Sequence, residues 1–148
     1  MGKEVTLEEI TEDTLEDVLN LSVTSAQSNF VSTNSVSIAK AHFSHYAWLR
    51  AILADTHPVG FVMLYLDGTM PEYFIWRMMI DKKHQGNGYG SEALKQVIEL
   101  VKSLPEAKEL LVRYVPGPGN PSGFFEKFGF EESEKSDDGK SVMKFTLE

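Results

Sequence analysis

The chain contains no cysteine. That absence excludes disulfides, a thiolate nucleophile and any cysteine-based zinc site. Long apolar runs are also missing. No stretch approaches the ~20 residues that cross a bilayer, and Met1-Gly2-Lys3-Glu4 has no signal-peptide core. The expectation is therefore a cytoplasmic protein with no membrane partner. Positive charge is scarce: 14 Lys and Arg stand against 22 Asp and Glu, for a net charge of −8. Non-specific nucleic-acid binding needs clustered Lys and Arg, so no nucleic-acid partner is expected. The acidic balance suits a cationic substrate, although solubility alone also accounts for it. The four histidines, His42, His45, His57 and His84, show no metal-ligand spacing, and no metal is expected.

What is present suits one soluble globular domain over residues 1–148, with 42% hydrophobic and 24% charged residues and no repeat or linker. Val5 to Ile10 reads as a first strand. Asp13 and Glu16 can cap a helix from Thr14 to about Ser22, with Leu15, Val18 and Leu19 facing inward. A Ser/Thr/Asn-rich connection, Val23 to Asn34, leads to a second helix from Val36 to Tyr46 capped by Ser35. Two strands follow, Trp48 to Ala54 and Val59 to Leu66. After the Asp67-Gly68 turn comes a nearly all-apolar strand, Tyr73 to Asp81, as expected inside a sheet covered on both faces. A helix starting near Ser91 carries Leu94, Val97, Ile98, Val101 and Leu104 on one face, and Pro105 ends it. Glu109 to Val115 is a further strand. Asn120 then caps a short helix with Pro121 at its first position, and Gly129 stops it. A hairpin of Phe130 to Lys135 and Val142 to Leu147 closes the chain.

Between the long strand and the main helix lies Gln85-Gly86-Asn87-Gly88-Tyr89-Gly90. Glycines at alternate positions let the backbone approach a ligand without Cβ obstruction. The first N–H groups of the helix lack intrahelical partners and point along the positive end of the helix dipole. Together they predict an anion site, most often for phosphate. The loop is not a Walker sequence, because no Lys follows Gly90. It is not a dinucleotide fingerprint either, because Ser91 stands where the third Gly belongs.

Gln-x-x-Gly-x-Gly in the order strand, loop, helix resembles the acetyl-coenzyme A (acetyl-CoA) pyrophosphate loop of the GNAT N-acetyltransferases. The order of elements extends the resemblance over nearly the whole chain. Ile80 to Gly90 is its most specific motif, and Lys127-Phe128-Gly129-Phe130 the next. The resemblance implies an α/β (α+β) fold with a mixed, mostly antiparallel sheet of about six to seven strands flanked by about four helices. Gln27-Ser28-Asn29-Phe30-Val31, Val59-Gly60-Phe61 and Glu72 to Asp81 look more narrowly like bacterial spermine/spermidine acetyltransferases.

The family reaction is direct attack of an amine on the acetyl-CoA thioester through a tetrahedral intermediate. It implies cofactor contacts from the backbone of Met78, Met79 and Ile80, with an N–H there, assigned to Ile80, stabilising the oxyanion. It also implies pyrophosphate contacts from Gln85, Gly86, Asn87, Gly88, Tyr89, Gly90 and Ser91. The side chains of Met78 and Met79 read as core. Lys82 and Lys83 either reach the phosphates or solvate the turn.

The acceptor is expected to be a small-molecule primary amine, best a polyamine. At pH 7 only about one amine in a thousand with pKa ~10.4 is neutral, so a base is needed. Glu72, at the start of the long strand, is the first candidate, and a solvated strand end is its other reading. Tyr73 and Trp76 are candidate walls of the acceptor site, through cation–π contact or as plain core, with Phe30 added by the narrower resemblance. The family's thiolate-protonating Tyr aligns with Phe125, which cannot donate. Asn120 is a cofactor contact by resemblance or a helix cap alone. An amino acid, an aminoglycoside or a peptide N-terminus remain alternative acceptors. A non-catalytic acyl-CoA-binding module is the alternative of another class. Dimers are common in the superfamily, so a homodimer is compatible.

Overall fold

A computed structural model describes residues 3–23, 34–114, 116–117, 121–133 and 139–147. Among the described residues seven strands form one sheet in the order β1-β2-β3-β4-β5-β7-β6, with four helices. The strands are β1 (Val5–Glu8), β2 (Ala47–Ala54), β3 (His57–Asp67), β4 (Glu72–Ile80), β5 (Glu109–Tyr114), β6 (Glu131–Glu132) and β7 (Ser141–Thr146). The helices are α1 (Glu12–Asn20), α2 (Asn34–Ala41), α3 (Tyr89–Lys102) and α4 (Ser122–Glu126). Every neighbouring pair is antiparallel except β4 with β5. Two cores result. One lies under α3 and α4, where Ala93, Leu94, Val97, Ile98 and Val101 meet Val62, Leu64, Ile75 and Leu110. The other lies under α1 and α2, where Val18 meets Ala51, Phe61, Met63 and Met79. Among the described residues no helix is long and apolar enough to cross a membrane.

Element ends moved for identifiable reasons. Helix α1 starts at Glu12 rather than Thr14, because Thr11, not Asp13, takes the cap position and its N–H donates to Thr14 Oγ1 at 2.9 Å. Helix α2 starts at Asn34 and stops at Ala41, short of Tyr46. Asn34 is buried and donates to the Val18 carbonyl at 2.8 Å, joining α2 to α1. Pro121 itself is the N-cap of α4, and its carbonyl accepts from Phe124 at 3.1 Å; Asn120 lies outside the described residues. The far end of α4 follows expectation. Gly129 has φ 100°, its N–H reaches the Glu126 carbonyl at 3.0 Å, and Phe130 N–H reaches Phe125 at 3.2 Å. This is a Schellman closure with its apolar contact, the Phe125 and Phe130 rings 5.2 Å apart.

Two bulges interrupt the sheet. In β3, Val59 has no partner, since Ile52 pairs with Gly60 and Leu53 with Pro58. In β4, Trp76 is the extra residue, since Met63 pairs with Arg77 and Leu64 with Ile75. Each bulge reverses the alternation of faces. Tyr73 and Ile75 join the α3-side core, whereas Met79, four residues beyond Ile75, joins the α1-side core.

Candidate active site

The site is built where β4 leaves β5. The two strands pair only at Phe74 with Leu111 and Ile75 with Val112. From Arg77 onward β4 keeps its β3 partners but pairs with nothing on the β5 side. A cleft of about 500 Å³ opens there. The close approach of β3 depends on Gly60, which pairs with Ile80. A Cβ on Gly60 would sit 2.4 Å from the Met79 carbonyl oxygen.

One end of the cleft is the glycine loop. Asp81 N–H donates to the Val59 carbonyl at 2.7 Å, and its carboxylate accepts from Ser22 N–H at 2.9 Å. His84 N–H then returns to the Asp81 carbonyl at 2.8 Å. Gln85 Nε2 donates to the Ile80 carbonyl at 2.9 Å, so this side chain ties the loop to the strand end. Gly86 and Gly88 take φ of 84° and 81°, the left-handed region that favours glycine, and no atom lies within 4 Å of where their Cβ would be. Helix α3 begins at Tyr89 with Gly88 as N-cap, two residues earlier than expected. The N–H groups of Tyr89, Gly90 and Ser91 are therefore the first-turn donors, and all three residues line the cleft. Open space over glycines beside a helix N-terminus fits a pyrophosphate.

The structure gathers Trp76, Met78, Met79, Ile80, Gln85, Gly86, Gly88, Tyr89, Gly90, Ser91 and Phe125 around one cleft. Five expected site residues need correction or fall elsewhere. Glu72 is exposed at the start of β4, opposite Asp67 and outside the cleft, so it is not placed to take a proton there. Tyr73 is 2% exposed, and its hydroxyl donates to the Pro105 carbonyl at 2.6 Å. It is core rather than an acceptor wall. Asn87 does not line this cleft; its Nδ2 donates to the His84 carbonyl at 2.9 Å. Phe30 and Asn120 lie outside the described residues.

Sequence reasoning missed Arg77, Arg113 and Tyr114, which also line the cleft. The signal was available: Arg77 and Arg113 are charges among apolar neighbours in strands whose other charge, Glu72 or Glu109, stands at the first position. Arg77 is half-buried, which lowers its pKa from the ordinary guanidinium value, and its Nη1 donates to the Trp76 carbonyl at 2.7 Å across the bulge. The Arg113 guanidinium lies 5.3 Å from the Phe74 ring centroid. Tyr114 stands near Phe125, but its hydroxyl donates to Glu132 in a short bond. Burial first, and that bond second, push its pKa up. The phenol is thus held protonated yet committed to Glu132.

A strand pair opened at a bulge, a glycine loop and a helix N-terminus together form a cleft whose lining fits a phosphate-bearing carrier. The description "Acetyltransferase (GNAT) family" matches residues 12–130. The chain belongs to this acetyltransferase family, whose cosubstrate is acetyl-CoA. It is 26% identical to the spermine/spermidine N(1)-acetyltransferase of Bacillus subtilis, over 94% of this chain and 96% of that protein. Among solved structures it superposes on PaiA N-acetyltransferase from Thermoplasma acidophilum in complex with coenzyme A. The TM-score is 0.70 at 15% identity, covering 97% of this chain and 99% of that one. An acetyltransferase from Thermus thermophilus gives a TM-score of 0.72 at 15% identity, with 99% of each chain covered. These structural likenesses bear out the expected fold.

Proposed function

We propose that this acetyltransferase moves the acetyl group of acetyl-CoA to a primary amine of a small polycation, spermine or spermidine. The observation that carries the acceptor is the similarity to the Bacillus subtilis enzyme, which runs along nearly the whole of both chains. In this reading the N–H groups of Tyr89, Gly90 and Ser91 hold the pyrophosphate, with Gly86 and Gly88 giving it room. The free edge of β4 at Met78, Met79 and Ile80 pairs with the pantetheine arm. The Ile80 N–H aims at the thioester oxygen, where negative charge develops on attack. Acetyl-CoA supplies the activated acyl group; the protein supplies position and hydrogen bonds. With Glu72 outside the cleft, the neutral fraction of the amine itself sets the supply of nucleophile. The reading includes a cytoplasmic enzyme and a homodimer, the latter checked by sedimentation.

A second reading rests on Arg113. A guanidinium beside the strand opening suits an acceptor that carries a carboxylate, such as an amino acid or a peptide N-terminus. Thiol release from acetyl-CoA across a panel of polyamines, monoamines, amino acids and aminoglycosides decides between the two. Preferred turnover of spermine or spermidine supports the first. Efficient acetylation of an amino acid with inert polyamines supports the second. Acetyl-CoA binding without release to any amine removes both.

A further inference from the structure

The chain that leaves α1 is fastened to the end of β4 at one residue. Ser22 N–H donates to Asp81 Oδ1 at 2.9 Å, and Lys82 N–H donates to the Ser22 carbonyl at 2.7 Å. Both backbone groups of Ser22 are thus held by two consecutive residues, once through a side chain and once through the main chain. On its other flank Asp81 N–H donates to the carbonyl of Val59, the bulged residue of β3. Asp81 therefore sits between β3 and the chain that follows α1. Leu21, the C-cap of α1, is extended at φ −69° and ψ 140°, so no further helical turn supports Ser22.

Asp81 is not itself placed to meet substrate. It is 7% exposed and is not among the residues that line the cleft. A carboxylate so far from water needs a partner, and the bond from Ser22 is charge-assisted. The His84 imidazole stands 4.0 Å away, beyond hydrogen-bond reach. The bonds to Val59 and from His84 N–H are made by the main chain of Asp81 and do not depend on its side chain. What the carboxylate fixes is Ser22 and the residue after it. That residue, Val23, lines the cleft with Trp76, Met79 and Ile80.

The two sides of the opening differ. Toward α3 and α4 it is closed by Tyr114, Phe124 and Phe125, which belong to the α3-side core. Toward α1 it is bounded by Val23 and Trp76, which pack on the α1-side core. Val23 and Ile80 each stand one residue from the Ser22–Asp81 bond. With the pantetheine arm on the free edge of β4 and the thioester beside Ile80, Val23 is the wall on the α1 side of the reacting carbon.

We propose that Asp81 is a positioning residue for acetyl transfer: its carboxylate holds Ser22, and through it Val23, as the wall against which the acceptor amine is aligned on the thioester. The proposal rests on the acetyl-CoA placement of the proposed function and on no particular amine. An attacking nitrogen must come within about 3–3.5 Å of the carbonyl carbon in a set direction, and a displacement of about 1 Å can cost about a hundredfold in rate. Losing the clamp frees Val23 without touching the N–H donors in the first turn of α3. The cost therefore falls on the acceptor and spares the cofactor.

The test is steady-state kinetics of the full chain with spermidine, or with an amino acid where the amine panel selects one, beside calorimetry of acetyl-CoA. Asp81→Ala should lower kcat/KM for the amine about tenfold and leave the Kd of acetyl-CoA within about twofold. Asp81→Asn keeps an oxygen that accepts from Ser22 N–H and should recover most of that loss. Val23→Ala should act in the same direction as Asp81→Ala. The two together should add little to either alone, as for residues that act through one contact. Val23 is only partly buried, so its variant reads the wall even where Asp81→Ala folds poorly. An equal loss of acetyl-CoA affinity in Asp81→Ala overturns the proposal, because Asp81 then acts through the glycine loop. Asp81→Asn as impaired as Asp81→Ala overturns it in favour of the charge. Unchanged amine kinetics in Val23→Ala overturns it while leaving the acetyltransferase reading intact. Acetyl-CoA bound by the unaltered protein with no amine turned over removes the clamp's role and the proposed function together.

Discussion

Gly90 separates structural from functional reasons for a glycine. Its Cβ would meet Ile80 Cγ1 and the Phe124 ring at 3.5 Å, ordinary van der Waals contact. Gly90 also sits in the first turn of α3, where Ala is favoured over Gly by up to about 1 kcal/mol. Gly90→Ala should therefore keep or raise the melting temperature. It should weaken acetyl-CoA binding at least severalfold by calorimetry, because the new methyl narrows the cleft between Ile80 and the Phe124 ring, both of which line it. Gly88 is a less clean probe, since its left-handed φ of 81° would strain any replacement. Phe125 tests the other end of the reaction. It is 4% exposed and packs between Phe124 and Phe130. Phe125→Tyr should cost about 1–3 kcal/mol in urea denaturation where the hydroxyl finds no partner. Its expected gain is in kcat, through protonation of the departing thiolate; an unchanged kcat assigns that proton to water.

At the scale of elements, the bulge at Trp76 and the short β4–β5 pairing make the site. The bulge turns Met78 and Ile80 toward the α3 side and Met79 toward the α1 side. The sequence Phe74-Ile75-Trp76-Arg77-Met78-Met79-Ile80 is apolar on both faces, so alternation carries no trace of the reversal. The strand itself was legible; its kink was not. Helix α4 shows the opposite case, where local chemistry announced a structure that tertiary packing kept. Gly129→Ala should cost about 1–2 kcal/mol, because a Cβ at φ 100° meets the left-handed penalty. Urea denaturation measures it. The loss should also shift the near-UV signal of the aromatic group around Phe125 and Phe130, which the Schellman turn positions.

For the whole molecule, charge and pH give measurable consequences. The amine must be neutral to attack, so kcat/KM should rise about tenfold per pH unit from pH 7 toward the amine pKa of ~10.4. Stability should move the other way at high pH. Burial raises the pKa of Tyr73 and Tyr114 above 10.0, so the native state holds these protons more tightly than the unfolded chain. Their stabilisation is complete below pH 10 and is lost as pH rises through the folded values. At the acid end Asp67 has a lowered pKa, and its contribution is present above the ordinary value of 3.8 and fades as pH falls below it. Denaturation midpoints across pH check both limbs. The net charge of −8 assists encounter with a polycation, and screening over about 8 Å at physiological salt should raise KM as salt is added.

The sequence by itself determined the elements, their order and the glycine loop, because each rests on interactions within a few residues. Hydrophobic periodicity marked α3, paired strands and turns marked the sheet, and Gly86, Gly88 and Gly90 marked backbone able to approach a ligand. Where local signals competed, boundaries slipped: Thr11 took the cap predicted for Asp13, and Pro121 took the one predicted for Asn120. Only the tertiary structure decided which residues share a site. Gln85 turned inward to the Ile80 carbonyl, Tyr73 was covered by the segment at Pro105, and Glu72 was carried about 13 Å from the strand opening. Arg113 entered the cleft from a strand that pairs with β4 at two positions only. Such placements depend on partners far apart in the chain, and one residue of bulge is enough to exchange the faces of everything after it.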